Sequence, residues 1–103
     1  MSAEFILSFD DRKWYPKNRT AVREKIVSLD TFSIESGVVF ELMGKDGSGW
    51  KFDVRLFLRE MDVFIEISNH PPNIEADLSL LFGWIRQQTM LSIRDEDGED
   101  SGW

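Results

Sequence analysis

The sequence predicts a single α+β domain, in which two helices pack on one face of one mostly antiparallel sheet. Three observations predict this fold class. At 103 residues, of which 42% are hydrophobic, the chain has the length and apolar content of one domain with one core. Segments with alternating apolar residues and two segments with helical spacing follow one another in the order β-α-β-β-β-α-β. The links between the three central strands are too short for parallel crossovers, so these strands should form an antiparallel meander.

The N-terminal part of the chain predicts a strand, a loop and a helix. In Glu4–Asp10 apolar and polar residues alternate, which is typical of a strand. Asp11–Arg19 is polar and contains Pro16, so we expect a loop there. Thr20 is the expected cap of the helix that follows. The apolar positions of that helix recur on one face, at Val22, Ile26 and Leu29.

The central part of the chain predicts the meander. Phe32–Met43 looks like one extended strand, with Gly37 as a bulge or bend. Gly44–Gly49 holds three glycines and predicts a hairpin loop; it lacks the Lys-Ser/Thr pair and the following helix of a phosphate-binding loop. Trp50–Arg59 and Asp62–Ser68 both alternate with a period of two, so each predicts a strand with one buried face.

The C-terminal part predicts a second helix, a last strand and a tail. We expect Asn73 to cap the helix, with Glu75 and Asp77 in its first turn. The apolar stripe of this helix consists of Ile74, Leu78, Leu81 and Ile85. Met90–Ile93 predicts a short strand. Residues 95–103 hold five acidic residues in nine, so we expect a mobile tail outside a globular domain of residues 1–94.

The composition excludes several kinds of chemistry. A chain without cysteine has no disulfide framework, no thiolate metal site and no cysteine nucleophile. His70 is the single histidine, and no serine lies in a nucleophile-elbow pattern. Candidate carboxylates for a divalent metal lack calcium-loop spacing: Asp10, Asp11, Asp46, Asp62 and Glu66. We predict a protein that is not an enzyme and uses no cofactor or metal, with a small enzyme or ligand-binding domain as a less favoured alternative.

The charge of the chain is distributed unevenly. The net charge is -7, yet residues 12–25 carry six basic residues against one acidic residue. Trp14 and Tyr15 in this basic block could stack on bases, but the dominant acidic field would repel a polyanion. We therefore expect no direct nucleic-acid binding, and we favour a basic protein as the partner.

The sequence contains no targeting signal that we recognise. Its first residues lack the basic start and the long apolar run of a signal peptide. No stretch approaches the roughly 18 apolar residues of a membrane span. We expect a cytoplasmic protein that does not bind membranes.

The sheet face opposite the helices is the predicted binding surface. If the even-numbered residues of the central strand point into the core, the odd-numbered residues point outward, and the preceding strand extends this face unless Gly37 flips its register. Aromatic anchors surrounded by acidic groups are typical of a protein interface. The predicted partner-binding residues are Glu35, Glu41, Asp53, Phe57, Phe64 and Glu66. Trp103 is a further candidate, because a terminal ring after an acidic run can act as a short linear ligand.

In its size, acidic charge and mixed α+β layout, the chain resembles the small immunity proteins of bacterial contact-dependent inhibition and other polymorphic toxin systems. The resemblance rests on no motif, so it assigns no residue. It implies a protein that binds the toxic domain of a cognate toxin, often a nuclease, and blocks its active site. The basic block of residues 12–25 departs from a uniformly acidic surface, which argues against mimicry of nucleic acid. The alternative is an adaptor or structural protein that self-associates, for example as a homodimer, through the same face.

Overall fold

The computed structural model describes residues 3–44, 53–69 and 71–103. The elements in chain order are β1 (Ala3–Phe9), α1 (Trp14–Val27), β2 (Phe32–Ser36), β3 (Val39–Leu42), β4 (Val54–Leu58), β5 (Val63–Ile67), α2 (Pro72–Arg86) and β6 (Leu91–Asp95). The six strands form one sheet in the order β2-β3-β4-β5-β1-β6, and every neighbouring pair is antiparallel. The predicted α+β class with a single antiparallel sheet is confirmed.

The first helix begins earlier than the sequence predicted. α1 starts at Trp14, so the loop expected over Asp11–Arg19 and the cap expected at Thr20 are wrong. Pro16 occupies the first turn of the helix, where a missing backbone N–H leaves no intrahelical hydrogen bond unmade. Before the helix, the Asp11 carboxylate accepts a hydrogen bond of 2.9 Å from the backbone N–H of Lys13. Proline is tolerated in the first turn of a helix, so Pro16 is as compatible with a helix start as with the predicted loop.

Gly37 forms the turn of a hairpin rather than a bulge within one strand. Its φ of +62° lies in the left-handed region that favours glycine. Ser36 pairs with Val39 directly across this two-residue turn, so the segment predicted as one strand is the β2–β3 hairpin. The irregularity in register lies instead between Phe32 and Ile34. The sheet therefore has one strand more than predicted.

The predicted meander is confirmed for the part of the chain that the structure describes. β3, β4 and β5 are sequential antiparallel neighbours, and the even-numbered side chains of β4 are buried as expected from their period of two. The predictions for residues 45–52 and for His70 lie outside the described residues.

One hydrophobic core lies between the sheet and the two helices. From the sheet it takes the residues of one face, including Leu7, Phe40, Leu56 and Ile65. From α1 it takes Tyr15, Val22 and Ile26, and from α2 it takes Ile74, Leu78, Leu81, Phe82 and Ile85. Because both helices bury their apolar side chains in this single cluster, they share one face of the sheet, and the other face is left without a helix.

α2 begins two residues before the predicted start. Pro71 is the N-cap and Pro72 is the first helical residue, a position at which proline is favoured. Asn73 therefore lies inside the helix, and the predicted cap at Asn73 is wrong. Glu75 is in the first turn, as predicted. No helix formed by the described residues is long and apolar enough to cross a lipid bilayer.

The segment predicted as a separate tail packs against the domain. The backbone N–H of Asp95 donates to the carbonyl of Glu99 at 2.8 Å, and the N–H of Ser101 donates to the carbonyl of Ile93 at 3.0 Å. Residues 99–101 thus run back along the outer edge of β6. The acidic composition predicted a free extension, but these backbone hydrogen bonds and the Trp103 ring hold it on the sheet.

Candidate binding face

The sheet face that carries no helix, here called the open face, is organised in two parallel rows by the strand register. Directly opposed residues of β3, β4, β5 and β1 lie side by side in each row. The apolar row consists of Val39, Phe57, Phe64 and Ile6. The charged row consists of Glu41, Arg55, Glu66 and Glu4. A partner that docks on this face would meet a line of apolar side chains beside a line of charges.

Phe57 and Phe64 form the centre of the apolar row. Their ring centroids lie 5.5 Å apart at an interplanar angle of 64°, the edge-to-face arrangement that aromatic pairs prefer. Both rings are half-buried, although neither helix lies on this side. The Arg59 guanidinium lies 5.5 Å from the centre of the Phe64 ring and is held by Asp62 at 2.6 and 2.9 Å. The pair is therefore fixed in position while part of its surface stays accessible.

The charged row contains two ion pairs that share one guanidinium. Arg55 lies between Glu41 and Glu66, and one oxygen of each carboxylate is 3.7 Å from a guanidinium nitrogen. These side chains are 32%, 25% and 23% exposed. Beyond Glu66, the next residue in the row is Glu4, so two carboxylates face each other directly across β5 and β1. Like charges in directly opposed positions of a sheet are unfavourable, and an added cation would relieve that repulsion.

The structure brings four of the seven predicted binding residues together. Glu41, Phe57, Phe64 and Glu66 lie on adjacent positions of β3, β4 and β5 on the open face. They form one continuous patch, as the alternation of these strands predicted.

Asp53 does not belong to this surface, and its predicted outward orientation is wrong. The residue is only 2% exposed. Its carboxylate accepts a hydrogen bond of 2.5 Å from the backbone N–H of Gly44, and its carbonyl accepts one of 2.8 Å from the N–H of Ser68. Asp53 thus ties the end of β3 to the chain after β5, which is a structural role.

Glu35 lies on the helix side of the sheet rather than on the open face. The two-residue turn at Gly37 and Val38 pairs Ser36 with Val39, and therefore Glu35 with the core residue Phe40. Glu35 thus faces the helices, whereas Val39 and Glu41 face away from them. Its carboxylate is held by the Arg23 guanidinium of α1 through hydrogen bonds of 2.6 and 2.8 Å. These hydrogen bonds lower the pKa of the Glu35 carboxyl below its ordinary value. The predicted position of Glu35 is therefore wrong.

Trp103 is not a free linear ligand in this structure. Its ring lies edge-on to Phe5 of β1 at 6.3 Å and to Phe82 of α2 at 5.8 Å. It is half-buried against the core. The chain end that was predicted to reach a partner instead covers one side of the protein's own core.

Besides Val39 and Arg55, which the alternation of their strands already indicates, three contributors to the open face were not among the predicted residues. Ile6 and Glu4 extend the two rows because β1 lies beside β5. The alternation of β1 was visible in the sequence, but its place in the strand order was not. Arg59 is the third residue that was not predicted. It lies three residues before Asp62 on the short connection between β4 and β5, and this spacing was the sequence signal for their ion pair.

The candidate metal ligands do not come together in the part of the chain that the structure describes. Among residues 3–44, 53–69 and 71–103, no group of three or more His, Asp or Glu side chains is placed to hold a metal ion. Asp62, one of the candidate metal ligands, is engaged with Arg59. Asp46 and His70 lie outside the described residues.

Comparison with known proteins adds no further assignment: no family model, curated protein or solved structure matches the chain.

Proposed function

We propose that this protein is a non-enzymatic binding protein that docks a basic protein partner on the open face. The supporting observation is that the half-exposed Phe57–Phe64 pair lies beside a row in which Glu4 opposes Glu66. Aromatic side chains supply most of the contact energy in many interfaces. Two opposed carboxylates favour a partner that places a lysine or arginine beside them, because that cation would form ion pairs with both carboxylates.

The charge of the whole chain supports the same choice of partner. The net charge is -7, and the charged row has three carboxylates to one guanidinium. Complementary charge steers a basic partner and raises its association rate above the roughly 10⁵–10⁶ M⁻¹s⁻¹ of neutral pairs. Binding on the open face should therefore be fast at low salt and slower as the salt concentration rises.

The partner we propose is the toxic domain of a bacterial toxin, met in the cytoplasm. A nuclease domain must hold cationic groups against phosphate, so an inhibitor gains affinity from carboxylates that occupy those positions. Glu4, Glu41 and Glu66 would supply these carboxylates, and Phe57 and Phe64 would anchor the complex. In this role the protein acts by occlusion, as an immunity protein, and needs no cofactor.

Self-association through the open face is the second candidate function. The charged row contains both signs, and the apolar row is continuous over four strands. A second copy related by a twofold axis could therefore satisfy both rows. The stoichiometry of the complex separates this candidate from the first.

Affinity capture with matched variants tests the proposal. The wild-type chain, Phe57→Ala/Phe64→Ala and the control Leu80→Ala are immobilised; Leu80 is 58% exposed on α2, away from the open face. We expect a basic protein that is retained by the wild type and the control, lost from the double variant and released by a salt step. Its toxicity on expression alone, and rescue by co-expression of this chain, would support the immunity role.

Two controls make the result decisive. Thermal unfolding shows whether Phe57→Ala/Phe64→Ala is folded. Independently, Glu4→Gln/Glu66→Gln retains the side-chain shapes and should slow association at low salt. Retention of the partner by a folded double variant would contradict docking on the open face. Recovery of the bait alone, with a dimer mass in sedimentation that Phe57→Ala/Phe64→Ala reduces to a monomer mass, would establish the self-associating candidate instead.

A further inference from the structure

A groove of about 260 Å³ lies on the outer surface of the helical layer, between α2 and Lys25 of α1. Leu80 in its wall is 58% exposed. The α2 residues of the lining recur at the spacing of one helix face over two turns, so the groove is about 12 Å long. The residues that line it are Lys25, Ser79, Leu80, Gly83, Trp84 and Gln87. A groove of this size has room for apolar side chains of a partner.

Gly83 leaves the middle of the groove open, and Trp84 forms an apolar wall beside it. A Cβ at Gly83 would meet no atom outside its own stretch of helix within 4 Å. The Trp84 ring contacts the Trp14 ring of α1 edge-on, with centroids 6.4 Å apart at an interplanar angle of 64°. Both rings are half-buried. The groove is therefore present in the free protein, and its aromatic wall is held in position.

The charge around the groove is positive, although the whole chain has a net charge of -7. Lys25 lies in its wall, and no Asp or Glu of the described residues lines it. Glu24, the acidic residue of α1, is outside the lining. Lys17 is exposed one turn after Trp14, on the flank of α1 that meets α2. A ligand that carries carboxylates beside its apolar side chains is therefore favoured here.

The helical walls of the groove determine what kind of segment can lie in it. The lining residues Ser79–Trp84 are inside α2, where backbone N–H and carbonyl groups are hydrogen-bonded within the helix. The groove thus offers no strand edge to an incoming chain. A segment that binds there must satisfy its own backbone hydrogen bonds, which a helix does and an isolated extended strand does not.

We propose that this groove binds an acidic amphipathic helix of a partner protein, which packs as a third helix on α1 and α2. Apolar side chains at helical spacing enter the groove over Gly83 and contact Leu80 and Trp84. Carboxylates on the flank of that helix pair with Lys17 and Lys25. These lysines are eight residues apart, about 12 Å along α1, which two glutamates eight residues apart on the partner helix match. The site goes beyond the proposed function, because it lies on the helix side of the sheet.

Three designed peptides test this site on the full chain. The probe is fluorescein-labelled Glu-Ala-Gln-Leu-Glu-Gln-Ala-Leu-Glu-Gln-Leu-Glu-Ala-Gln-Ala, in which a helix places the three Leu on one face and the four Glu beside them. A basic peptide replaces every Glu by Lys, and a broken peptide replaces the Ala between the first two Leu by Pro. Fluorescence anisotropy at low salt should show saturable binding of the probe, and at least ten-fold weaker binding of both comparison peptides.

Matched variants of the chain locate the binding. Lys25→Glu should weaken binding of the acidic peptide at least five-fold, and Lys25→Arg should not. The control Arg86→Glu makes the same change in charge at an exposed α2 residue that lines a different cavity beside β6, and it should leave binding unchanged. Gly83→Leu fills the groove and should weaken binding at least ten-fold. Because no atom obstructs a side chain at Gly83, this variant should fold, which thermal unfolding checks.

The outcomes are distinguishable from those of the open-face proposal. Phe57→Ala/Phe64→Ala should bind the acidic peptide as the wild type does. Leu80→Ala, the control at the open face, should weaken binding of this peptide at least three-fold. Each site can therefore fail alone.

Four results would overturn the proposal: no saturable binding, equal binding of the acidic and basic peptides, equal binding of the broken peptide, or insensitivity to Gly83→Leu in the folded variant. Vesicles of phosphatidylserine provide a further comparison. Binding to these vesicles that Lys25→Glu abolishes, in a chain that ignores the peptide, would overturn the proposal in favour of a membrane surface.

Discussion

Asp77 of α2 accepts two hydrogen bonds from Thr31, a residue 46 positions earlier in the chain. The Thr31 backbone N–H donates at 2.9 Å and its hydroxyl at 2.6 Å, both to the same carboxylate oxygen. Both residues are buried. The sequence predicted Asp77 in the first turn of the helix, but α2 begins at Pro72, so Asp77 lies beyond the first turn. It fixes α2 to the start of β2.

Removal of this buried acceptor should destabilise the fold. Asp77→Ala leaves the Thr31 N–H and hydroxyl without that partner, so we expect a loss of about 2–3 kcal/mol in the free energy of unfolding. Thr31→Val removes the hydroxyl alone and should cost about 1 kcal/mol. Urea denaturation measures both, with the exposed Ser79→Ala as the control. Equal stabilities of Asp77→Ala and the control would show that the contact contributes nothing.

Two glycines should respond in opposite directions to the same change. Gly37 has a φ of +62°, so Gly37→Ala should cost about 1–2 kcal/mol although the new methyl group meets no atom within 4 Å. Gly83 lies inside α2 and also has no atom within 4 Å of an added Cβ. Gly83→Ala should therefore stabilise by about 0.5–1 kcal/mol. Thermal unfolding of the two variants in parallel checks the signs, and a stabilised Gly37→Ala would contradict the assigned turn.

Tyr15 should make stability depend on alkaline pH. Burial raises the pKa of the Tyr15 phenol above its ordinary value of 10.0, and this exceeds the opposing effect of the Arg19 guanidinium. The neutral phenol is also bound in the fold, since its hydroxyl donates to the carbonyl of Arg59 at 2.9 Å. With the folded pKa above the unfolded one, this stabilisation is complete below pH 10.0 and is lost as the pH rises through the folded pKa.

Because Tyr15 is the only tyrosine, the near-ultraviolet absorbance of the phenolate reports on this residue alone. We expect its titration midpoint to be higher in the folded chain than in the chain unfolded in urea. Tyr15→Phe should show a smaller loss of stability between neutral and alkaline pH than the wild type. Identical midpoints in the folded and unfolded chains would exclude the effect.

Truncation of the last side chain should weaken the domain. Trp103 packs on Phe5 and Phe82 but is only half-buried, so Trp103→Ala should cost about 2 kcal/mol, roughly half the cost for a fully buried tryptophan. Glu96→Gln, at an exposed position of the same segment, should change stability by less than about 0.5 kcal/mol. If urea denaturation gave the same midpoint for both variants and the wild type, the segment would be the free tail that its composition predicted.

The sequence predicted what depends on local periodicity. The alternation in β4 and β5 placed Phe57 and Phe64 correctly on the open face, because a period of two determines which side chains share a face. Glu35 was misplaced because the chain reverses direction at Gly37, so that Glu35 pairs with Phe40 and faces the helices. Gly37 was the sequence signal for this reversal, but a bulge or bend within one strand was the predicted outcome.

The remaining errors come from tertiary contacts. The alternation along β4 predicts that Asp53 points outward. Gly44 and the chain after β5 instead form hydrogen bonds to Asp53 and bury it. Trp103 follows an acidic run, but Phe5 and Phe82 offer it an apolar site. Glu4 belongs to the open face because β1 pairs with β5, and the sequence did not predict that pairing. Composition and periodicity contain none of these relationships, because each depends on residues far apart in the chain.

The occupation of the β6 edge by residues 99–101 limits how far this sheet can grow. An edge-to-edge contact between copies would have to use β2 of each, since that is the uncovered edge in the described part of the chain. Two copies joined in this way would present only their covered β6 edges to a third. Residues 99–101 therefore limit strand pairing between copies to the β2 edge, so that any such pairing would stop at a closed pair instead of continuing into a fibre.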